Sequence, residues 1–226
     1  DSVASRGLGD VYKRQIKGLS TESWIEQKIY YYGAYESYLL SLVRTIANTL
    51  KRDSESWSFW DVGANIGQYS LSMLSEADCV FAFEPYEPLA QRLQNLKTDH
   101  RLQNLQVCKF GLGSTNSYLP FKVPSSQNVG VGSFATAQDS DPLLPVRRGD
   151  SITAEFFASD LPPIKLIKID VEGAEQSVLF GLNETLLKYK PVVVVECTPM
   201  EDLHRHSLQS IFACFPEEYV FLNIEY

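Results

Sequence analysis

Short apolar runs alternate with stretches of helical periodicity along most of the chain. The runs predicted as β-strands are Phe59–Val62, Val80–Phe83, Gln106–Phe110, Ile164–Ile169, Val192–Val195 and Tyr219–Leu222. The stretches predicted as helices are Gln68–Leu74, Pro88–Leu96, Ala174–Leu187 and Leu203–Phe215. Nearly continuous apolar strands are typical of a parallel sheet that is covered on both faces. The alternation therefore predicts an α/β fold, a doubly wound and mostly parallel sheet with helices on both faces.

The N-terminal part of the chain follows a different pattern. Residues 16–55 carry two helical stretches, and the clearer one, about 35–51, has an apolar stripe at 3–4 spacing. Ser20 or Thr21 offers a cap for the first of these helices. Residues 1–15 fit no amphipathic period and resemble translated adapter DNA. We expect them to be a non-native or disordered stretch that adds nothing to the core.

One stretch interrupts the alternation of strands and helices. Residues 113–150 are rich in Gly, Ser, Pro, Asp and Asn. Loops of this length in a compact domain are usually functional or disordered, so we expect a partly ordered excursion over the carboxyl edge of the sheet. It is a candidate wall for the acceptor substrate. The predicted organisation is one domain over residues 16–226, with N-terminal helices and an α/β core from residue 56.

Composition excludes several classes of partner. Of 226 residues, 20 are Lys or Arg and 28 are Asp or Glu, a formal charge of −8. This balance argues against a nucleic-acid partner, because phosphate neutralisation needs a basic face. The apolar runs are also far shorter than the ~20 residues of a membrane-spanning helix. The four cysteines, Cys79, Cys108, Cys197 and Cys214, lack metal-ligand spacing and predict reduced, buried thiols of a cytoplasmic protein.

The most informative motif is a glycine turn, Asp61-Val62-Gly63-Ala64-Asn65-Ile66-Gly67, between a strand and a helix. Ligands of open α/β sheets lie beyond the carboxyl ends of the strands, where such a turn allows close approach. A dinucleotide fingerprint needs glycine at the third and sixth positions from Gly63, where this chain has Asn65 and Gln68. With Asp61 at the strand end, the turn favours a ligand that carries positive charge, such as the ammonium and sulfonium of S-adenosylmethionine.

Further acidic residues are predicted at the same edge. Glu84 ends the second strand, where a carboxylate accepts hydrogen bonds from two ribose hydroxyls. Asp170 ends the strand 164–169, and Lys168 points to the same side because it lies two residues earlier. We expect Lys168 either to pair with a carboxylate or to orient substrate. Glu172 follows in the next turn.

At these residues the chain resembles the FkbM family of S-adenosylmethionine-dependent methyltransferases. The matching segments are DVGANIG at 61–67, FEP at 83–85, LIKIDVEGAE at 166–175 and PVVVVE at 191–196. The resemblance implies a Rossmann-like class I methyltransferase fold with strand order 3-2-1-4-5-7-6. Because the sequence ends at Tyr226, we expect the last antiparallel strand to be missing. It implies O-methylation of a hydroxyl on a sugar, polyketide or related small metabolite.

The resemblance also implies roles for individual residues. Those expected to bind the cofactor are Asp61, Gly63, Ala64, Asn65, Gly67, Glu84, Pro85 and Asp170. Those expected to be catalytic are Asp170, Glu172 and Lys168, with Asp170 or Glu172 as the general base. A second hypothesis makes Asp170 and Glu196 ligands of Mg²⁺, which would lower the pKa of the hydroxyl as in catechol O-methyltransferase.

Two other function classes stay open at this point. One is a nicotinamide-dependent oxidoreductase, which the residues at positions 65 and 68 disfavour. The other is a catalytically silent or truncated domain that binds S-adenosylmethionine without turnover. The acceptor, the oligomeric state and the contacts of the adenine ring are not determined by these motifs, since the chain reads Gly111-Leu112-Gly113-Ser114 after the third strand.

Overall fold

A computed structural model describes residues 23–53, 56–125, 132–157, 160–197 and 208–224. The features predicted at residues 1–15, Ser20 and Thr21 lie outside this part of the chain. The helices are α1 (Trp24–Tyr32), α2 (Ser37–Asp53), α3 (Gln68–Met73), α4 (Glu87–Asp99), α5 (Gly149–Phe157), α6 (Glu175–Gly181), α7 (Asn183–Tyr189) and α8 (Leu208–Phe212). None of these described helices is long and apolar enough to cross a membrane.

The central sheet confirms the predicted doubly wound α/β class. Its strands are β1 (Ser58–Val62), β2 (Cys79–Phe83), β3 (Leu105–Cys108), β7 (Ile164–Ile169) and β8 (Val192–Val195). They lie in the order β3-β2-β1-β7-β8, and every neighbouring pair is parallel. The order reverses between β1 and β7, so the carboxyl ends of these two strands flank the crevice where such sheets bind ligands.

Each face of the sheet has its own apolar core. One core packs Phe59, Val80, Leu166 and Val194 against helices α1 to α4. The other packs Trp60, Phe81 and Ile167 of the same strands against α5 to α8. Successive strand residues point to opposite faces, so uninterrupted apolar strands supply both cores at once.

The N-terminal helices begin and end at recognisable caps. Ser23 caps α1, and its side-chain hydroxyl accepts a hydrogen bond from the Glu26 N–H at 3.5 Å. Gly33 ends α1 in the left-handed conformation and donates its N–H to the Ile29 carbonyl. The caps leave only a short corner, residues 34–36, before α2 starts at Ser37.

Part of the predicted excursion at residues 113–150 forms a second sheet. Strands β4 (Gly111–Gly113), β5 (Ser117–Pro120) and β6 (Leu143–Arg148) form it in the order β4-β6-β5. The polar composition of this segment gave no strand pattern, because most residues of β5 and β6 are at least partly exposed and few apolar side chains are buried. The sequence predicted a partly ordered excursion here, and the individual strands β5 and β6 were not predicted.

Three smaller predictions also need correction. The helix predicted at Ala174–Leu187 divides into α6 and α7 at Leu182, next to Gly181, which packs directly on the backbone of Gly113. Tyr219–Leu222 forms no strand, and its side chains Val220 and Leu222 stay exposed. Cys108 and Cys214 are buried free thiols, but Cys197 is exposed because it follows the end of β8.

Candidate active site

A pocket that is partly open to solvent lies at the carboxyl edge of the central sheet. Its walls come from the turn after β1, the end of β2, the turn after β7 and the second sheet region. The lining residues are Val62, Gly63, Asn65, Phe83, Glu84, Pro85, Tyr86, Leu89, Gly111, Leu112, Phe121, Pro124, Gly132, Phe134, Asp170, Val171, Glu172 and Ala174. The pocket thus brings together residues that are more than 100 positions apart in the chain.

The glycine turn approaches the neighbouring strand closely. Gly63 adopts φ +83°, and a Cβ atom added there would lie 1.8 Å from the Asp170 carbonyl oxygen. Asn65 also adopts a positive φ of 52°, which asparagine tolerates better than most residues. Only glycine fits the first of these positions, because both the φ angle and the contact exclude a side chain.

Each backbone N–H group of this turn, from Gly63 to Gly67, donates a hydrogen bond to another group of the protein. Gly63 and Ala64 donate to the Phe83 carbonyl, and Gly67 donates to the Ala64 carbonyl. Asn65 donates its N–H to Glu84 at 2.9 Å, and Ile66 donates to the Asn65 side chain at 2.7 Å. An anion site at a glycine turn needs amides that point at the ligand. This turn therefore has no backbone N–H groups left to bind a pyrophosphate. It borders the pocket beside the carboxylates of Glu84 and Asp170.

Glu84 is buried directly after β2, at the strand end where the sequence predicts a ribose-binding carboxylate. Its Oε2 accepts from the Asn65 N–H and its Oε1 from the Tyr86 N–H, each at 2.9 Å. Burial raises the pKa of Glu84 to about 7, although the two backbone hydrogen bonds favour its charged form. Each carboxylate oxygen carries a second lone pair, so the pair can accept two further hydrogen bonds from a ligand.

The pocket continues from Glu84 into an aromatic wall that the sequence did not predict. The Tyr86 and Phe121 rings stack at 6.1 Å, and Phe134 meets Phe121 edge-on at 4.9 Å. Phe121 and Phe134 lie in the segment predicted as a wall for the acceptor, but they line the same pocket as Glu84. Two isolated aromatic residues in a polar stretch were the only signal.

Behind the pocket, a buried lysine pairs with acidic residues. Lys168 Nζ lies 2.6 Å from Asp170 Oδ2 and 4.2 Å from the centre of the Tyr69 ring. Lys168 is also the register partner of Asp61 on β1, and its ammonium interacts with Glu196 after β8. We call these side chains, together with Glu36, the Lys168 cluster.

The electrostatics of the Lys168 cluster follow from burial and mutual charge. Burial raises the pKa of Asp61, and the nearby Lys168 and the Ser70 hydrogen bonds oppose this shift. Burial, with the Asp170 charge, raises the pKa of Glu196 to about 7. Burial disfavours the ammonium of Lys168, but Asp170 and Asp61 outweigh it and raise the pKa of Lys168. The cluster therefore keeps its cation charged.

The turn after β7 is held from across the pocket. Glu172 and Gly173 have positive φ angles of 51° and 99°. Ser133, buried in the segment after β5, donates its hydroxyl to the Glu172 carbonyl at 2.7 Å. The Gly173 N–H donates to Glu175 Oε1 at 2.8 Å, which closes the turn at the start of α6.

The predicted site residues divide between the pocket wall and the layer behind it. Those that line the pocket are Gly63, Asn65, Glu84, Pro85, Asp170 and Glu172. Asp61 lies behind the wall, where its Oδ2 accepts from the Ser70 N–H and hydroxyl at 2.8 and 2.6 Å. Ala64 is buried, and Gly67 packs against Leu93 on α4. These residues shape the pocket by supporting the turn.

Asp170 and Glu196 do not fit the predicted magnesium site. The ammonium of Lys168 already provides the positive charge beside the Asp170 carboxylate, where the metal ion was predicted. Within the described residues, no group of three or more His, Cys, Asp or Glu side chains is arranged to hold a metal ion. Divalent cations such as Mg²⁺ need several oxygen ligands in near-octahedral geometry.

Comparisons with known proteins identify related sequences. A family profile described as the methyltransferase FkbM domain matches residues 61–221. Hexuronic acid methyltransferase AglP of Haloferax volcanii is 28% identical over 146 residues, which cover 64% of this chain and 58% of that protein. Methyltransferase 1 of Beauveria bassiana is 28% identical over 155 residues, 60% of this chain and 62% of that protein. The chain thus spans about three fifths of the length of these relatives.

One solved structure is similar over much of the chain. The crystal structure of methyltransferase FkbM from Methylobacillus flagellatus aligns with a TM-score of 0.47 at 22% identity. The alignment covers 83% of this chain and 48% of that one.

Proposed function

The chain belongs to the methyltransferase FkbM family, and from this premise we propose that it is an S-adenosylmethionine-dependent O-methyltransferase of a small hydroxyl compound. The acceptor class is a sugar, a polyketide or a related metabolite. One observation supports the proposal: the backbone N–H groups of the glycine turn all donate hydrogen bonds within the protein, and carboxylates lie beside the turn at the pocket. That arrangement suits a cofactor with an ammonium and a sulfonium.

We propose that the cofactor runs along the pocket from Asp170 to the aromatic wall. Gly63 and Asn65 contact its methionine part, and Glu84 accepts hydrogen bonds from both ribose hydroxyls. The purine ring packs against Leu112, Phe121 and the neighbouring Phe134, because aromatic and aliphatic surfaces bury a flat apolar ring.

The chain's own residues then have two tasks in methyl transfer. When bound, S-adenosylmethionine supplies an electrophilic methyl group on sulfur. The protein holds the acceptor hydroxyl in line with that group, which is the main source of rate in such a displacement. We propose that Asp170 takes the hydroxyl proton, since it lines the pocket and Lys168 holds its carboxylate at 2.6 Å. Glu172, two residues later in the same turn, is the alternative base.

Titration with S-adenosylhomocysteine and with NAD tests the cofactor assignment. We expect S-adenosylhomocysteine to bind and NAD to show no measurable heat, because a pyrophosphate meets no free amides at the turn. A screen of metabolites with a labelled methyl donor then identifies the acceptor, and activity is expected to persist in EDTA. Binding of NAD alone would refute the proposal. Binding of S-adenosylhomocysteine without turnover of any hydroxyl compound would instead indicate the silent form.

Cofactor binding is expected to weaken in acid because of Glu84. The ribose hydroxyls need a charged acceptor, and the pKa of Glu84 is about 7. Between pH 8 and pH 6 the charged fraction falls about tenfold, and the affinity for S-adenosylhomocysteine should fall by a similar factor. Calorimetric titrations at pH 6, 7 and 8 measure this dependence. In Glu84→Gln, the affinity should be low and the same at all three pH values.

Glu196→Gln is the matched control for this pH dependence. Glu196 has a pKa of about 7 as well but lies behind the pocket rather than at the ribose position. We expect Glu196→Gln to keep the wild-type pH dependence. Persistence of the dependence in Glu84→Gln, or its loss in Glu196→Gln, would show that another group is responsible.

A further inference from the structure

Gln68 ties the N-terminal helices to the glycine turn. It stands where a dinucleotide fingerprint needs glycine, and its side chain is buried as the first residue of α3. Its Oε1 accepts from the Tyr35 N–H at 2.6 Å, and its Nε2 donates to the Tyr35 carbonyl at 2.7 Å. A bond to both backbone groups of one residue fixes the corner between α1 and α2. We call this pair of hydrogen bonds the Gln68 clamp.

The Gln68 clamp holds Tyr35 and thereby places the following residue, Glu36, among the other side chains of the Lys168 cluster. Glu36 adopts φ +49°, a left-handed conformation that glycine or asparagine would adopt at lower cost. Its carboxylate lies 3.4 Å from the Tyr69 hydroxyl and interacts electrostatically with Lys168 and Asp170. Glu36 also lies outside residues 61–221, the part of the chain that matches the family profile.

Two buried acceptor atoms in the cluster lack a donor within the described residues. They are Asp61 Oδ1 and Glu196 Oε2. Asp61 is only 1% exposed, and its carboxylate interacts with Lys168 and Asp170. An unpaired buried carboxylate oxygen is costly, so these two atoms leave the layer behind Asp170 short of hydrogen-bond donors and of positive charge.

We propose that Glu36 is a specificity-determining residue, which makes the space beside Asp170 select neutral or cationic groups against anionic ones. The inference rests on the proposed function, because Asp170 borders the methyl-transfer point. Four carboxylates, those of Glu36, Asp61, Asp170 and Glu196, share the Lys168 ammonium in this cluster, and Asp170 is the member that lines the pocket. The acceptor class is therefore a neutral or amino-bearing hydroxyl compound, with no acid group beside the reacting hydroxyl. Like charges in such proximity repel strongly.

The effect of these carboxylates can be measured by comparing two cofactor forms that differ in charge. S-adenosylmethionine and S-adenosylhomocysteine differ only by a methyl group and the positive charge on sulfur. We expect wild-type protein to bind S-adenosylmethionine more tightly than S-adenosylhomocysteine in calorimetric titrations. In Glu36→Gln, this preference should fall about three- to tenfold while the affinity for S-adenosylhomocysteine stays the same. Gln68→Leu should lower the preference too, because the corner is released.

Two further variants separate charge at the site from other effects. Glu218→Gln removes the same charge from an exposed ion pair with Lys190, and it should leave the preference unchanged. Glu36→Gly should lower the preference while keeping or raising the melting temperature, because it relieves the left-handed strain. An unchanged preference in Glu36→Gln overturns the inference. Failure of the wild type to bind either ligand overturns the proposed function and this inference together.

Discussion

Gly63→Ala is expected to abolish measurable binding of S-adenosylhomocysteine. The new Cβ would lie 1.8 Å from the Asp170 carbonyl oxygen, a distance at which β1 and β7 must move apart at their ends. The φ of +83° adds about 1–2 kcal/mol for any L side chain. Because a displacement of about 1 Å at an active site costs about 100-fold, we expect affinity to fall by at least that factor. Calorimetric titration measures it.

Gly181→Ala is the steric match for this experiment. Its added Cβ would lie 1.9 Å from the Gly113 carbonyl oxygen, but α6 ends there outside the pocket. Both variants should lose stability in thermal unfolding, and only Gly63→Ala should lose cofactor affinity in the folded protein. Equal affinities in the two variants would mean that the turn after β1 does not contact the cofactor.

Lys168→Met is expected to cause the largest loss of stability of any single change in the cluster. It leaves the carboxylates of Asp61 and Asp170 beside each other without their buried cation. Removing one partner of a buried ion pair typically costs about 3–5 kcal/mol. Urea unfolding at pH 7 measures this loss. The double variant Lys168→Met/Asp170→Asn should recover part of it, since one of the uncompensated charges is gone.

The same variant has a distinctive dependence on pH. The pKa of Glu196 is about 7 in the folded protein, against an ordinary value of 4.5. A carboxyl whose pKa is raised by folding takes up its proton first in the native state, so acid favours folding between those values. The Lys168 charge lowers the pKa of Glu196, so its removal raises that pKa further, and the variant gains more stability in acid than the wild type does. The difference in stability between Lys168→Met and the wild type should therefore narrow as the pH falls from 7 to 4.5.

Lys190→Met provides the control for a lysine whose ion pair is exposed. Its Nζ lies 2.8 Å from Glu218, but both side chains are more than half exposed. Such a pair contributes at most about 1 kcal/mol. If Lys168→Met costs no more than Lys190→Met, or if the double variant shows simple additivity, Lys168 does not balance the buried carboxylates.

Most of the central sheet could be predicted from local pattern. The strands at residues 164–169 and 192–195 have the predicted bounds, because each is rich in Ile, Leu or Val and lies between a proline and an acidic residue. The second sheet could not be predicted, since its strands contain few buried apolar residues and pair across 20 or more positions. Tyr219–Leu222 has a strand-like composition, but within the described residues only Tyr219 packs against the core, and Val220 and Leu222 are exposed.

The candidate site shows the same division. Glu84 and Asp170 were predicted at strand ends, and Lys168 was placed on the same side as Asp170 by the two-residue repeat of a strand. The aromatic wall and Glu36 were not predicted, because no local pattern says which distant segment will cover the pocket. Gln68 was noticed only as a mismatch to another motif, and its hydrogen bonds to Tyr35 became visible in three dimensions.

The sequence alone determined the α/β class, the glycine turn and the acidic residues at the strand ends. These depend on local periodicity and on residue types that few other conformations tolerate, as at Gly63. Only the tertiary structure decided which of those residues reach the pocket, that Lys168 balances several carboxylates, and that Glu36 lies beside Lys168 and Asp170. Such properties arise from contacts between segments far apart in the chain, where burial and charge depend on every neighbour at once.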